Sequence, residues 1–150
     1  MNQAKPAIAL VASEASTRDR LRYALHGLGP KIEVLESTDL IAELGAGRRF
    51  AMLVLALQGG VARMRSDLDQ IQTFTEGQTP LMLLLGLAQV EAVASVMTGA
   101  RNDYLLMPVS DDELIDRLAS LYFCWSWPPT GLHCYLSMNQ RLFGTKTQSK

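Results

Sequence analysis

Three apolar runs break up an otherwise mixed chain: residues 7–12 (AIALVA), 50–57 (FAMLVLAL) and 81–87 (LMLLLGL). Each is too short for an independent helix and is bounded by turn-forming or polar residues. Such runs fit strands buried on both faces, as in a parallel sheet with helices above and below. Two weaker segments, residues 32–36 (IEVLE) and 103–106 (DYLL), predict two further strands. The stretches between them have helical length and period. Residues 17–28 place Leu21, Leu25 and Leu28 on one stripe, and residues 37–44 form a short helix with Ser37 or Thr38 as N-cap. Residues 62–74 and 88–97 supply helices after the third and fourth strands. Ser110-Asp111-Asp112-Glu113 predicts a capping box that opens a fifth helix, in which Ser110 and Glu113 each satisfy a free amide. Its buried stripe is expected to be Leu114, Ile115, Leu118 and Tyr122. Strand followed by helix five times over predicts an α/β domain with a doubly wound, five-stranded parallel sheet. Any site is expected in the loops at the carboxyl ends of the strands.

The chain's 150 residues suit one domain with one sizeable core. At 48% hydrophobic, 19% charged and a formal net charge of −1, the chain is neither intrinsically disordered nor a nucleic-acid binder driven by global positive charge. No uninterrupted stretch of about 18 apolar residues occurs, so no transmembrane span is expected. The first apolar run ends at Ser13 and Glu14, too early for a signal peptide. Two cysteines make neither a disulfide framework nor a four-ligand zinc site. A soluble, cytoplasmic protein is expected. The charge is unevenly spread: residues 1–116 hold ten bases against fifteen acids, whereas from Arg117 onward there is no Asp or Glu. Both Trp and both Cys lie in residues 124–134, and six of the ten aromatic residues lie between Tyr122 and Phe143. The reading is a domain over residues 1–123 and an irregular C-terminal extension, aromatic and basic, over residues 124–150.

The run Thr98-Gly99-Ala100-Arg101-Asn102-Asp103-Tyr104-Leu105-Leu106-Met107-Pro108, followed by Ser110, Glu113 and Leu114, resembles the end of a response-regulator receiver (CheY-like) domain. There the family typically reads GAxDYLxKP, then a polar cap and EL. The register extends upstream through roughly residues 6–123, and the order of elements agrees with the periodicity. The resemblance implies a (βα)5 receiver, or flavodoxin-like, fold in bacterial two-component signalling. It also implies where chemistry would lie. The first-strand acidic pair falls on Ala12 and Ser13, the phosphoacceptor aspartate on Ala56, the hydroxyl on Leu85 and the lysine on Met107. Receiver chemistry needs oxygen ligands for Mg2+, a carboxylate nucleophile, and a hydroxyl and an ammonium on the transferred oxygens. None of those groups is present, so the chain resembles a degenerate pseudo-receiver, without enzymatic activity, metal or cofactor.

Other features have plainer readings. Glu14 alone is a weak Mg2+ site and reads as a solvated loop residue. Gly59-Gly60 and Gly45-Ala46-Gly47 lack phosphate-cradle spacing. His26 has no catalytic neighbour, and Cys124, His133 and Cys134 are poor evidence for a metal. The arginines at 18, 20 and 22 alternate with Asp19 and apolar residues, so with Arg48-Arg49 they read as solvated faces and no direct nucleic-acid contact is expected. The aromatic tail could pack on the domain or on a second copy, touch a membrane surface, or replace a lost output domain; a membrane partner is the least expected. By resemblance, the face formed by the fourth helix, fifth strand and fifth helix pairs two receivers or contacts an output domain. Arg101, Tyr104, Asp112 and Asp116 are its candidate interface residues, acid on one copy facing Arg101 on another. The expected function is a phosphorylation-independent protein-interaction and dimerisation module in signalling or transcriptional control. Its partners would be itself in a homodimer, an output domain or a histidine kinase. The alternative is a small-ligand sensor that uses the emptied cleft of Ala12, Ser13, Ala56, Leu85 and Met107.

Overall fold

The structure is a computed structural model that describes residues 6–57, 60–94 and 101–125. Thr98, Gly99 and Ala100 of the motif, the end of the predicted fourth helix, Gly59, His133, Cys134 and most of the predicted extension lie outside the described residues. Five strands and five helices alternate: β1 (Ile8–Ala12), α1 (Ala15–His26), β2 (Ile32–Val34), α2 (Ser37–Gly45), β3 (Met52–Ala56), α3 (Val61–Thr75), β4 (Leu81–Leu85), α4 (Leu87–Ala94), β5 (Asn102–Leu106) and α5 (Asp111–Trp125). All strand pairs are parallel, in the order β2-β1-β3-β4-β5. This is the doubly wound, flavodoxin-like topology, whose sheet reverses winding direction beside β1. The α5 helix continues through Trp125, past the boundary expected at residue 123.

Because successive strand side chains point to opposite faces, β1, β3 and β4 each feed two separate cores. One core joins Ala9, Val11, Leu53, Leu55, Leu83 and Leu85 to Leu40, Leu44, Met64, Leu68 and Ile71 of α2 and α3. The other joins Ile8, Leu10, Met52, Val54, Met82 and Leu84 to Leu21, Leu25, Leu114, Leu118 and Leu121 of α1 and α5. No polar or charged residue is buried among the described residues. Full burial of each Leu or Ile stabilises by roughly 1.5–3 kcal/mol, which explains why β1, most of β3 and β4 are apolar at consecutive positions. On α5 the buried stripe is Leu114, Leu118 and Leu121. Ile115, expected in that stripe, is instead 38% exposed, because a helix step of one residue carries it to the edge facing α1.

Polar clamps tie the layers together. Arg20 of α1 donates from Nε to Asp111 Oδ1 at 2.9 Å and from Nη2 to the Val109 carbonyl at 2.6 Å, joining α1 to the start of α5. Arg48 pairs with Glu33 and lies 4.5 Å from the Phe50 ring centroid, fastening the edge strand β2. Arg20 and Arg48, expected on solvated faces, are therefore engaged within the fold. The α5 cap is half of the expected box: Ser110 Oγ accepts from the Glu113 amide at 3.2 Å, while the Glu113 carboxylate turns to Arg117 at 3.7 Å.

Candidate functional site

The residues expected at the cleft all come to the carboxyl end of the sheet. Ala12 and Ala56 close β1 and β3 and are register partners, so their Cα atoms sit about one strand spacing apart, 4.7–4.9 Å. Leu85 closes β4, and the amide of Met107, just past β5, donates to its carbonyl at 2.8 Å. The side chains do not all meet. Ala12 is buried in the α1/α5 core, with Ala56 and Met107 packed against it, whereas Leu85 is buried in the opposite core beside α3. Ser13 is exposed at the rim. The Met107–Pro108 bond is cis.

Two methyl groups thus stand at the strand ends where the resemblance places carboxylates. An alanine side chain has no donor or acceptor and cannot hold a cation or a phosphoryl group. Arg18 Nη1 donates to the Ala12 carbonyl at 3.4 Å, so a guanidinium reaches the same strand end. Glu14, the N-cap of α1, is the acid next to this region. Its carboxylate accepts from Ser16 Oγ at 2.6 Å and Thr17 Oγ1 at 3.0 Å. These hydroxyl bonds, Ser16 first, lower its pKa below the ordinary carboxylate value and keep it ionised. Among the described residues, no three His, Cys, Asp or Glu side chains are grouped to hold a metal ion.

The candidate interface residues are dispersed. Tyr104 is 44% exposed on β5, and Asp112 and Asp116 are exposed on α5. Arg101 lies before β5, at the amino end of the sheet, and donates from Nη1 to the Gln78 carbonyl at 2.5 Å. Asp112 lies in the first turn of α5, at the carboxyl end, so Arg101 and Asp112 stand at opposite ends of the domain.

Sequence reading missed two features. Arg117 holds Asp103 through a bidentate ion pair, with Nε to Oδ2 at 3.1 Å and Nη2 to Oδ1 at 2.6 Å, and donates to the Tyr104 carbonyl at 3.2 Å. A groove of about 280 Å3 runs between α1 and α5, lined by Asp19, Arg20, Tyr23, Asp111, Leu114 and Ile115 among others. Each depends on the packing angle of two helices or of a helix on a strand, for which the local sequence carries no periodic signal.

No protein-family model and no curated protein sequence matches the chain. Solved structures do. One described as a transiently phosphorylated "switch" in bacterial signal transduction is 19% identical, with a TM-score of 0.68, over 83% of this chain and 100% of the other. Full-length FixJ from B. japonicum is 19% identical, with a TM-score of 0.61, over 84% of this chain and 61% of that one. A response regulator CheY-like protein from Mesorhizobium loti is 18% identical, with a TM-score of 0.59, over 78% and 98%. The likeness is one of fold: the chain has the flavodoxin-like architecture of receiver domains.

Proposed function

We propose that this chain is a receiver-type module of bacterial two-component signalling or transcriptional control that has lost phosphoryl transfer and acts by protein contact. The observation that carries the reading is the Ala12–Ala56 pair at the ends of β1 and β3. An in-line phosphoryl transfer needs a nucleophile and charge stabilisation at one point, and methyl groups supply neither. The fold's surfaces remain: the β5 edge with Tyr104, and the acidic outer side of α5 with Asp112 and Asp116. A second copy, an output domain or a histidine kinase would be the partner, in the cytoplasm. Incubating the full chain with Mg2+ and acetyl phosphate, followed by intact-mass measurement, is expected to show no phosphoryl adduct. A stoichiometric, acid-stable or acyl-type adduct would overturn the reading. Small-ligand sensing in the cleft is less well supported, since Leu85 is buried on the other face of the sheet from Ala12.

A further inference from the structure

We infer that the groove between α1 and α5 is the docking surface for this chain's own C-terminal segment, residues 126–150. The face is apolar with an acidic rim. Tyr23 is 78% exposed on α1, and Ile115 is 38% exposed on α5. Asp19 and Asp112 are exposed around them. The arginine within the groove, Arg20, is engaged by Asp111 and the Val109 carbonyl. Arg20 and Ala24, one turn apart, both line the groove, so Arg22 midway between them is carried to the flank of α1 turned away from α5. The face therefore carries apolar contact area and an excess of negative charge.

Its best occupant is an aromatic segment with bases and no acids. Residues 126–150 hold Trp127, Tyr135 and Phe143 together with Arg141, Lys146 and Lys150, and no Asp or Glu. Aromatic side chains filling a groove contribute most of the energy of such a contact, and opposite charges at the rim orient it. A second copy suits the face less well, because acidic rims would be brought together. The tether also fits. This segment continues directly from α5, whose 15 residues rise about 1.5 Å each, roughly 22 Å in all. An extended chain covers about 3.3 Å per residue, so part of the segment suffices to run back along the groove. Its local concentration at the groove is set by that short connection, so weak contacts can hold it.

The test uses the full chain carrying Cys124→Ala and a spin label on Cys134. Docking predicts that amide signals of Tyr23 and Ile115 lose more intensity than those of Val61 and Phe74 on α3, on the opposite side of the sheet. High salt, or Asp19→Lys with Asp112→Lys, is expected to restore those signals. Equal loss on both sides, or none, would overturn the inference. So would loss seen only when spin-labelled chains are mixed with isotope-labelled, spin-label-free chains, which would assign the groove to a second copy. Phosphoryl-adduct formation is independent of this readout, so failure of one proposal does not disguise failure of the other.

Discussion

Arg117 and Asp103 form a bidentate ion pair that pins the middle of α5 to the edge strand β5, with both side chains less than a third exposed. Asp103 Oδ1 also accepts from the Tyr104 amide at 2.8 Å. The acid of the Asp103-Tyr104-Leu105 motif is therefore committed within the chain, and the contacts available to a partner on this side come from Tyr104 and its neighbours.

Arg117→Ala is expected to lower unfolding stability by about 1–2 kcal/mol, because a charge-assisted pair and a bond to a carbonyl are lost together and a half-buried carboxylate remains. Asp103→Asn should cost less. Urea unfolding of both single variants and the double variant reads the coupling directly. Strict additivity of the two losses would show that the pair contributes nothing.

Ala12→Asp with Ala56→Asp places two carboxylates at register-paired positions. Like charges so close destabilise the fold when no cation is present, and Mg2+ offsets the repulsion. The thermal midpoint of the double variant is expected to fall, then to recover with millimolar Mg2+, while that of the parent chain does not respond. Binding only the folded state raises the midpoint with concentration. An Mg2+-insensitive double variant would place these two strand ends farther apart than described.

Glu14 should titrate below the ordinary carboxylate value, with its charged form held by Ser16 and Thr17. Since the folded value lies below the unfolded one, its contribution is complete above the unfolded value and is lost as pH falls through the folded value. Side-chain NMR titration measures the midpoint. Ser16→Ala should move it upward more than Thr17→Ala does, matching the shorter bond.

Glu76, the C-cap of α3, has φ 54° and ψ 29°, a left-handed conformation that costs most residues steric energy. Glu76→Gly is expected to raise stability by about 0.5–1 kcal/mol, offset in part by greater unfolded-chain entropy. Thermal or urea unfolding checks the sign. A loss of more than this amount would mean that the Glu76 side chain makes a stabilising contact.

The architecture was legible because fully buried strands must be apolar at every position, and β1, β3 and β4 are nearly so. Strand β2 is shorter than the pattern predicts: Leu35 still donates its amide to the Leu10 carbonyl at 2.9 Å and packs against the core, and the pairing ends there. On α5 Ile115 stands at the lip of a groove and not in the buried stripe, a distinction that apolar character alone does not carry. The positions of Ala12, Ala56, Leu85 and Met107 at one end of the sheet followed from the motif's register. That Leu85 belongs to the other face did not, because facing depends on the phase of the strand pleat. Likewise, Glu113 suited a capping box by spacing, but Arg117 one turn later competes for its carboxylate. The Arg20–Asp111 and Arg117–Asp103 clamps join segments whose approach only the packed fold determines.

The division of the strands into odd and even positions has a mechanical consequence. Ala9 and Val11 serve one core while Ile8 and Leu10 serve the other, and the same alternation holds in β3 and β4. Among the described residues the two cores share no strand side chain, so a disturbance at α1 and α5 reaches α2 and α3 through the sheet as a shift of strand backbone. Backbone in a hydrogen-bonded parallel sheet resists such shifts far more than side chains resist changing rotamer. The sheet thus acts as a partition that lets the two flanks bind, mutate and repack with little crosstalk.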